Sequence, residues 1–210
     1  MRNFIDTLTH SELSLVRHSA TVLKQRLTST RDYQLNQQQK DRVLTYLGET
    51  ELSMQDFGNP LDAHGVIAFS FGDSSEVNQC LAKEAMALLK EYPYLDAHLQ
   101  QEIAEHAIAS IKRAHVIGSE DYQTTTDIAT QALHRAVGRN VVVVAQSWHA
   151  KRCIETCEAV GLKVVALRAV DRFPEYDPQP WVRNPINWIL KESHRAVANG
   201  AEISQQLKLA

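Results

Sequence analysis

The chain is poor in cysteine, glycine and proline, and it has no long apolar run. Its cysteines, Cys80, Cys153 and Cys157, are odd in number, at spacings that match no disulfide framework and no zinc pattern. A reducing compartment follows, and the cytoplasm is the expected location. Eight glycines and six prolines exclude collagen and low-complexity disorder. No apolar run exceeds that of Val141–Ala145, whereas a spanning helix needs about 20 residues. The opening MRNFIDTLTHSELSLV places acidic or polar residues in every apolar window, so neither a signal peptide nor a membrane role is expected. A basic excess is also missing: 22 Lys and Arg face 25 Asp and Glu, net −3, which argues against a nucleic-acid binder. What remains is an ordinary globular composition, 44% hydrophobic and 22% charged over 210 residues. That length suits one domain, or one domain with an appendage.

The first sixty residues differ in pattern from the rest. Leu8, Leu13, Val16, Leu23 and Leu27 recur at helical spacing over 8–27, with Thr9 and Glu12 as a capping box. A second helix is expected over 37–47, between Asn36 and Gly48. Residues 1–60 therefore read as an α-helical appendage and 61–210 as the main domain. A helix-turn-helix using Arg17, Lys24, Arg26, Lys40 and Arg42 is the sharper reading of the appendage. A solvated polar face is the plainer one, and the net charge favours it.

From residue 64, short apolar runs alternate with amphipathic helices. Strands are expected at Val66–Phe71, 95–100, Ala114–Ile117, Asn140–Ala145 and Leu162–Leu167. Helices are expected at 76–91, 125–137 and 148–160, the last stopped by Gly161. Apolar on both faces, such strands belong to a parallel sheet covered on both sides. The expected fold is α/β: a Rossmann-like, doubly wound, mainly parallel five-stranded sheet in three layers. Residues 171–181 hold three prolines and read as a loop, and Pro185 opens a C-terminal helix.

Such sheets bind ligands beyond the carboxyl ends of their strands, where strand order reverses. In a Rossmann-like order the first strand neighbours the fourth, so the loop Ser70–Ser75 would face Gln146–Arg152. Ser147, His149, Lys151 and Arg152 in one first turn would collect a phosphate or carboxylate. Neither G-x-G-x-x-G nor a Walker motif occurs, and no G-x-S-x-G elbow surrounds Ser147. Ser147 reads more simply as a cap. The third loop, Gly118–Asp127, offers Glu120 and Asp121 as acid/base groups beside an N-cap at Thr124 or Thr125, with Asp127 in the first turn. His98, Glu102 and His106 would share a metal-binding stripe only on a continuous helix, which a strand at 95–100 breaks. No metal is expected.

Taken together, VIAFSFG, QQEIAEHA, GSEDYQTTTD, VVVVAQSWHAKRC and YDPQPWVRNPINWILKES resemble the DUF218, or YdcF-like, family over about residues 60–195. The sharpest part is Ser147-x-His149-x-x-Arg152 directly after a buried strand. The resemblance implies a Rossmann-like domain with its motif residues at one end of the sheet: Gly72, Glu102, Glu120, Thr125, Asp127, Ser147, His149 and Arg152. The family's glycine-rich first loop is reduced here to Gly72. The expected activity is that of an enzyme binding a small anionic, nucleotide-like ligand, with group transfer or hydrolysis as its reaction. His149, Glu120 and Asp127 would be catalytic. Ser70, Gly72, Glu102, Thr125, Ser147 and Arg152 would bind the ligand. A non-catalytic regulatory binder is one alternative. An S-adenosylmethionine-binding protein, with Glu102 holding a ribose, is another.

Overall fold

The computed structural model describes residues 2–5, 8, 26–107, 114–119 and 123–209. In chain order they form β1 (Arg2–Asn3), β2 (Thr28–Ser29), α1 (Gln37–Glu49), β3 (Phe57–Gly58), β4 (Gly65–Ala68), α2 (Ser75–Glu91), β5 (Asp96–Gln100), α3 (Gln101–Ala107), β6 (Ala114–Ile117), α4 (Thr125–Arg135), β7 (Asn140–Gln146), α5 (Ala150–Ala159), β8 (Lys163–Val170), α6 (Pro185–His194) and α7 (Gly200–Leu207). The helix expected over 8–27 and its Thr9–Glu12 box lie largely outside the described residues.

The chain divides into two compact units, Ser53–Arg172 and a second built from Met1–Leu52 with Phe173–Ala210. This differs from a boundary at residue 60. Residues just before 60 pair into the sheet, Phe57 with Leu167 and Gly58 with Ala166. The C-terminal helices fold with the N-terminal segment instead: α1 packs on α6, and α6 on α7. Asn36 caps α1 through a capping box with Gln39. Gly48 lies inside the last turn of α1 rather than ending it. Val43, Leu47, Trp188, Ile189 and Ile203 are buried within this unit.

Ser53–Arg172 is an α/β unit around a six-stranded, mostly parallel sheet of order β3-β8-β7-β4-β5-β6. The five expected strands are present. The sixth, β3, runs antiparallel at one edge. Two residues carry no periodicity, so this strand left no pattern to read. Its Gly58 has φ +73°, and a Cβ there would lie 2.0 Å from Val165 O, so only glycine fits. From β4 the chain passes outward to β5 and β6, then returns to the other side of β4 for β7 and β8. The order reverses between β4 and β7, which pair Val66 with Val142 and Ile67 with Val143.

Burial explains β7. Val141–Ala145 are all fully buried, and successive side chains point to opposite faces, so both faces of this strand are covered. Its β-branched residues have stiff χ1 angles and pack well on a pleated surface. On one face Ile67, Phe69, Val141 and Val143 cluster with Ile128 and Ala132 of α4 and Cys153 and Cys157 of α5. Burial pushes the Cys157 thiol up to about 12, so it behaves as a small hydrophobe. Helix α2 packs on α3 and touches β4 and β7.

The segment 94–100 is a strand, with Leu95, Ala97 and Leu99 buried. The break between β5 and α3 also takes His98 off the helical stripe of Glu102 and His106. His98 is fully buried, paired between Ile67 and His115. Neither ring nitrogen has a hydrogen-bond partner. The ring stacks on His115, with centroids 5.1 Å apart and planes 17° apart. Burial, and next the neighbouring His115, lower its pKa to about 4.

Candidate functional site

The reversal between β4 and β7 brings the loop after β4 against the loop after β7. Phe69 N–H donates to Val144 O at 3.0 Å. The His149 ring lies 6.5 Å from the Phe69 ring and 6.2 Å from the Phe71 ring. Segments near residues 72 and 149 therefore converge at one rim.

Buried amides shape both loops. Asn78 projects from α2 with 1% exposure. Its Oδ1 accepts from Phe71 N–H at 3.0 Å, and its Nδ2 donates to Gly72 O and Ser74 O, each at 3.0 Å. This clamp holds the turn at Gly72, whose φ of +73° is the left-handed region that favours glycine. Gln146 ends β7, fully buried. Its Oε1 accepts from Trp148 N–H at 2.7 Å and His149 N–H at 3.1 Å, and its Nε2 donates to Arg172 O at 3.3 Å. A third amide, Gln100, accepts Ser70 N–H at 3.0 Å. Sequence reasoning passed over all three. Their signal was an amide inside an apolar stripe (Val77-Asn78, Leu81) or directly after an apolar run (Val141–Ala145, then Gln146).

The expected site residues fall into distinct places. His149 is 5% exposed, set behind Phe69 and Phe71. Arg152 Nη2 lies 3.4 Å from His149 Nε2. A guanidinium only donates, so this contact makes Nε2 the acceptor and leaves the ring proton on Nδ1. His149 thus meets Arg152 through Nε2 and is largely shielded from solvent. Ser147 is buried too: its Oγ donates to Asp171 Oδ1 at 3.1 Å, stapling the loop after β7 to the loop after β8. The first turn of α5 was expected to offer its N–H groups to an anion. Helix α5 begins at Ala150, two residues later than expected, and Gln146 Oε1 takes the N–H groups of Trp148 and His149 just ahead of it.

Asp127 serves as a cap. Its Oδ2 accepts from Thr124 N–H at 2.8 Å and Thr124 Oγ1 at 2.7 Å, and Thr124 Oγ1 accepts Asp127 N–H at 3.2 Å. These bonds lower its pKa, and they tie its carboxylate into the cap of α4. Thr124 is the N-cap of α4, and Thr125 is the first helical residue. Glu120 and Asp121 lie outside the described residues.

Ser70 and Glu102 do meet. The Ser70 side chain acts on the Glu102 carboxyl and lowers its pKa, and Asp73 lies within its field. Burial dominates and raises the Glu102 pKa; its own backbone N–H and then Ser70 oppose this, while Asp73 and Glu105 add to the rise. Glu102 Oε2 is buried and has no hydrogen-bond partner. Nearby cations are engaged elsewhere: Arg172 pairs with Glu76 at 2.8 Å and Lys151 with Glu155 at 3.7 Å. The rim thus combines a carboxyl biased toward its neutral form, a hydroxyl beside it, and a guanidinium held by an imidazole. A carboxylic acid so placed can donate a proton, and the guanidinium can neutralise an anion.

Among the described residues no three His, Cys, Asp or Glu side chains group as metal ligands, and no helix is long and apolar enough to cross a membrane. No family model, curated protein or solved structure matches the chain.

Proposed function

We propose that this chain is an enzyme of the DUF218, or YdcF-like, type on a Rossmann-like doubly wound sheet. It binds a small anionic, nucleotide-like ligand at the carboxyl edge of β4, β5 and β7, and performs group transfer or hydrolysis on it. The observation that carries the reading is Glu102: a buried carboxyl oxygen without a partner, at the edge where strand order reverses. A buried polar atom left unbonded costs about 1–3 kcal/mol, and a ligand hydroxyl or amine at that point recovers it. In this reading Arg152 neutralises the ligand's anionic group and His149 positions Arg152. Glu102 is the acid that protonates the leaving group. Ser70 and the backbone at Gly72 line the ligand. The burial of His149 favours one second reading, a non-catalytic binder using the same rim, because the imidazole is largely shielded from solvent.

A thermal-shift screen of nucleotides, sugar phosphates and S-adenosylmethionine tests the proposal. A ligand at about 100 times its Kd stabilises by about 2.7 kcal/mol, which for a chain of this size raises Tm by roughly 5–10 °C. Arg152→Ala is expected to weaken the hit at least about tenfold, the worth of one charge-assisted bond. Glu102→Gln is expected to keep binding and abolish turnover in the enzyme reading. In the binder reading neither protein turns anything over. A hit that both variants bind like the wild type places the site elsewhere and defeats both readings.

A further inference from the structure

The unit built from residues 1–52 and 173–210 holds a groove of about 460 Å³ between α1 and α6. Along α1 it is lined by Gln38, Arg42, Thr45, Tyr46 and Glu49, a polar stripe at helical spacing on a different face from the buried Val43 and Leu47. Ser193 stands on the opposite wall.

The charges in this groove are unevenly used. Glu192 is bonded to Lys191 at 2.6 Å, and Asp41 to Gln37 at 2.8 Å. Arg42 is half-buried, and among the described residues it makes no hydrogen bond or ion pair; Glu49 likewise makes none. His194, within the field of Arg42, is 3% exposed. Its Nδ1 lies 2.9 Å from Leu190 O, and its Nε2 is buried without a partner. Burial lowers its pKa and Arg42 adds to this, against the bond to Leu190. Arg42 thus stands on the groove wall with no hydrogen bond or ion pair of its own among the described residues.

Arg42 and Glu49 are seven residues apart, about 10 Å along the helix axis at 1.5 Å per residue. An extended peptide advances about 3.3–3.6 Å per residue, so three residues span that distance. A dianion such as phosphate suits the groove poorly, because Asp41, Glu49 and Glu192 all line it. We propose that this groove binds a short linear peptide of about three residues with free termini. Its carboxylate sits on Arg42 and its ammonium at Glu49, and Thr45 and Ser193 bond the peptide groups between. The site is independent of the sheet-edge site and stands or falls separately.

Titration of the full chain with trialanine by calorimetry tests this. Saturable binding is expected, weakened about tenfold by N-acetylation and about tenfold by C-terminal amidation, each removing one charge pair. Arg42→Gln is expected to erase the penalty of amidation, and Glu49→Gln that of acetylation. Both positions are at least partly exposed, and circular dichroism checks that the variants fold. Three results overturn the proposal: no saturation by roughly 10 mM, a Kd weaker than about 3 kcal/mol of binding; equal affinity for capped and free peptides; or competition by free glycine as strong as by trialanine.

Discussion

Asn78→Ala is expected to lower unfolding stability by about 3 kcal/mol, from three hydrogen bonds worth about 1 kcal/mol each. The side chain is 1% exposed, and its bonds reach Phe71 N–H, Gly72 O and Ser74 O, each at 3.0 Å. Alanine withdraws the acceptor from a buried N–H and the donor from two carbonyls where water has little access. Asn78→Asp should be no better, since its carboxylate faces the same two carbonyls without N–H groups to offer. Urea denaturation decides the matter: the midpoint should fall while the slope stays constant. A loss below about 1 kcal/mol would mean that the loop at Gly72 is held by other contacts.

Acid is expected to destabilise the chain through His98. The folded pKa is lowered to about 4 from an ordinary 6.5, chiefly by burial and next by His115. Asp96 on the same strand raises it, and Arg135 of α4 lowers it further. With a depressed folded pKa, the unfolded chain binds the proton first as pH falls. Stability is then unaffected above about pH 7 and declines between about 6.5 and 4, where the unfolded state gains the more protons. At pH 4.5 the cost is about 2–3 kcal/mol, from 1.36 kcal/mol per pKa unit. Carboxylates titrate in the same range, so the measurement is a comparison. His98→Leu should lose about 2–3 kcal/mol less than the wild type between pH 7 and pH 4.5 in chemical denaturation. Equal losses in the two proteins would show that His98 is protonated in the folded state without penalty.

Legibility followed locality. The four valines of β7, the Asn36 start of α1 and the Gly161 stop of α5 were readable because each acts within a few residues. Gly161 has φ +98° and donates to Glu158 O at 3.0 Å. The alternation at 95–100 likewise identified β5 against a competing helix. Strand β3 was not readable, because two residues hold no period. Helix α7 was missed although Asn199 and Glu202 form a capping box at the required spacing. The convergence of the loops near Gly72 and His149 was anticipated from strand order. The burial of His149 was not, because it depends on Phe69 and Phe71 nearly eighty residues upstream. Nor was the bond from Ser147 to Asp171, or the use of Gln146 as an internal acceptor for the turn leading into α5. Those partners are set by tertiary register, and no spacing rule reports them.

The reading of the rim stands on a ligand meeting Glu102 and Arg152 together. Amide chemical-shift mapping by nuclear magnetic resonance, with the strongest ligand from the thermal screen, addresses that most directly. The account predicts shifts concentrated at Ser70–Asp73, Gln100–Glu102 and His149–Arg152, absent in Arg152→Ala. Shifts concentrated away from these three segments, with the rim silent, would contradict it.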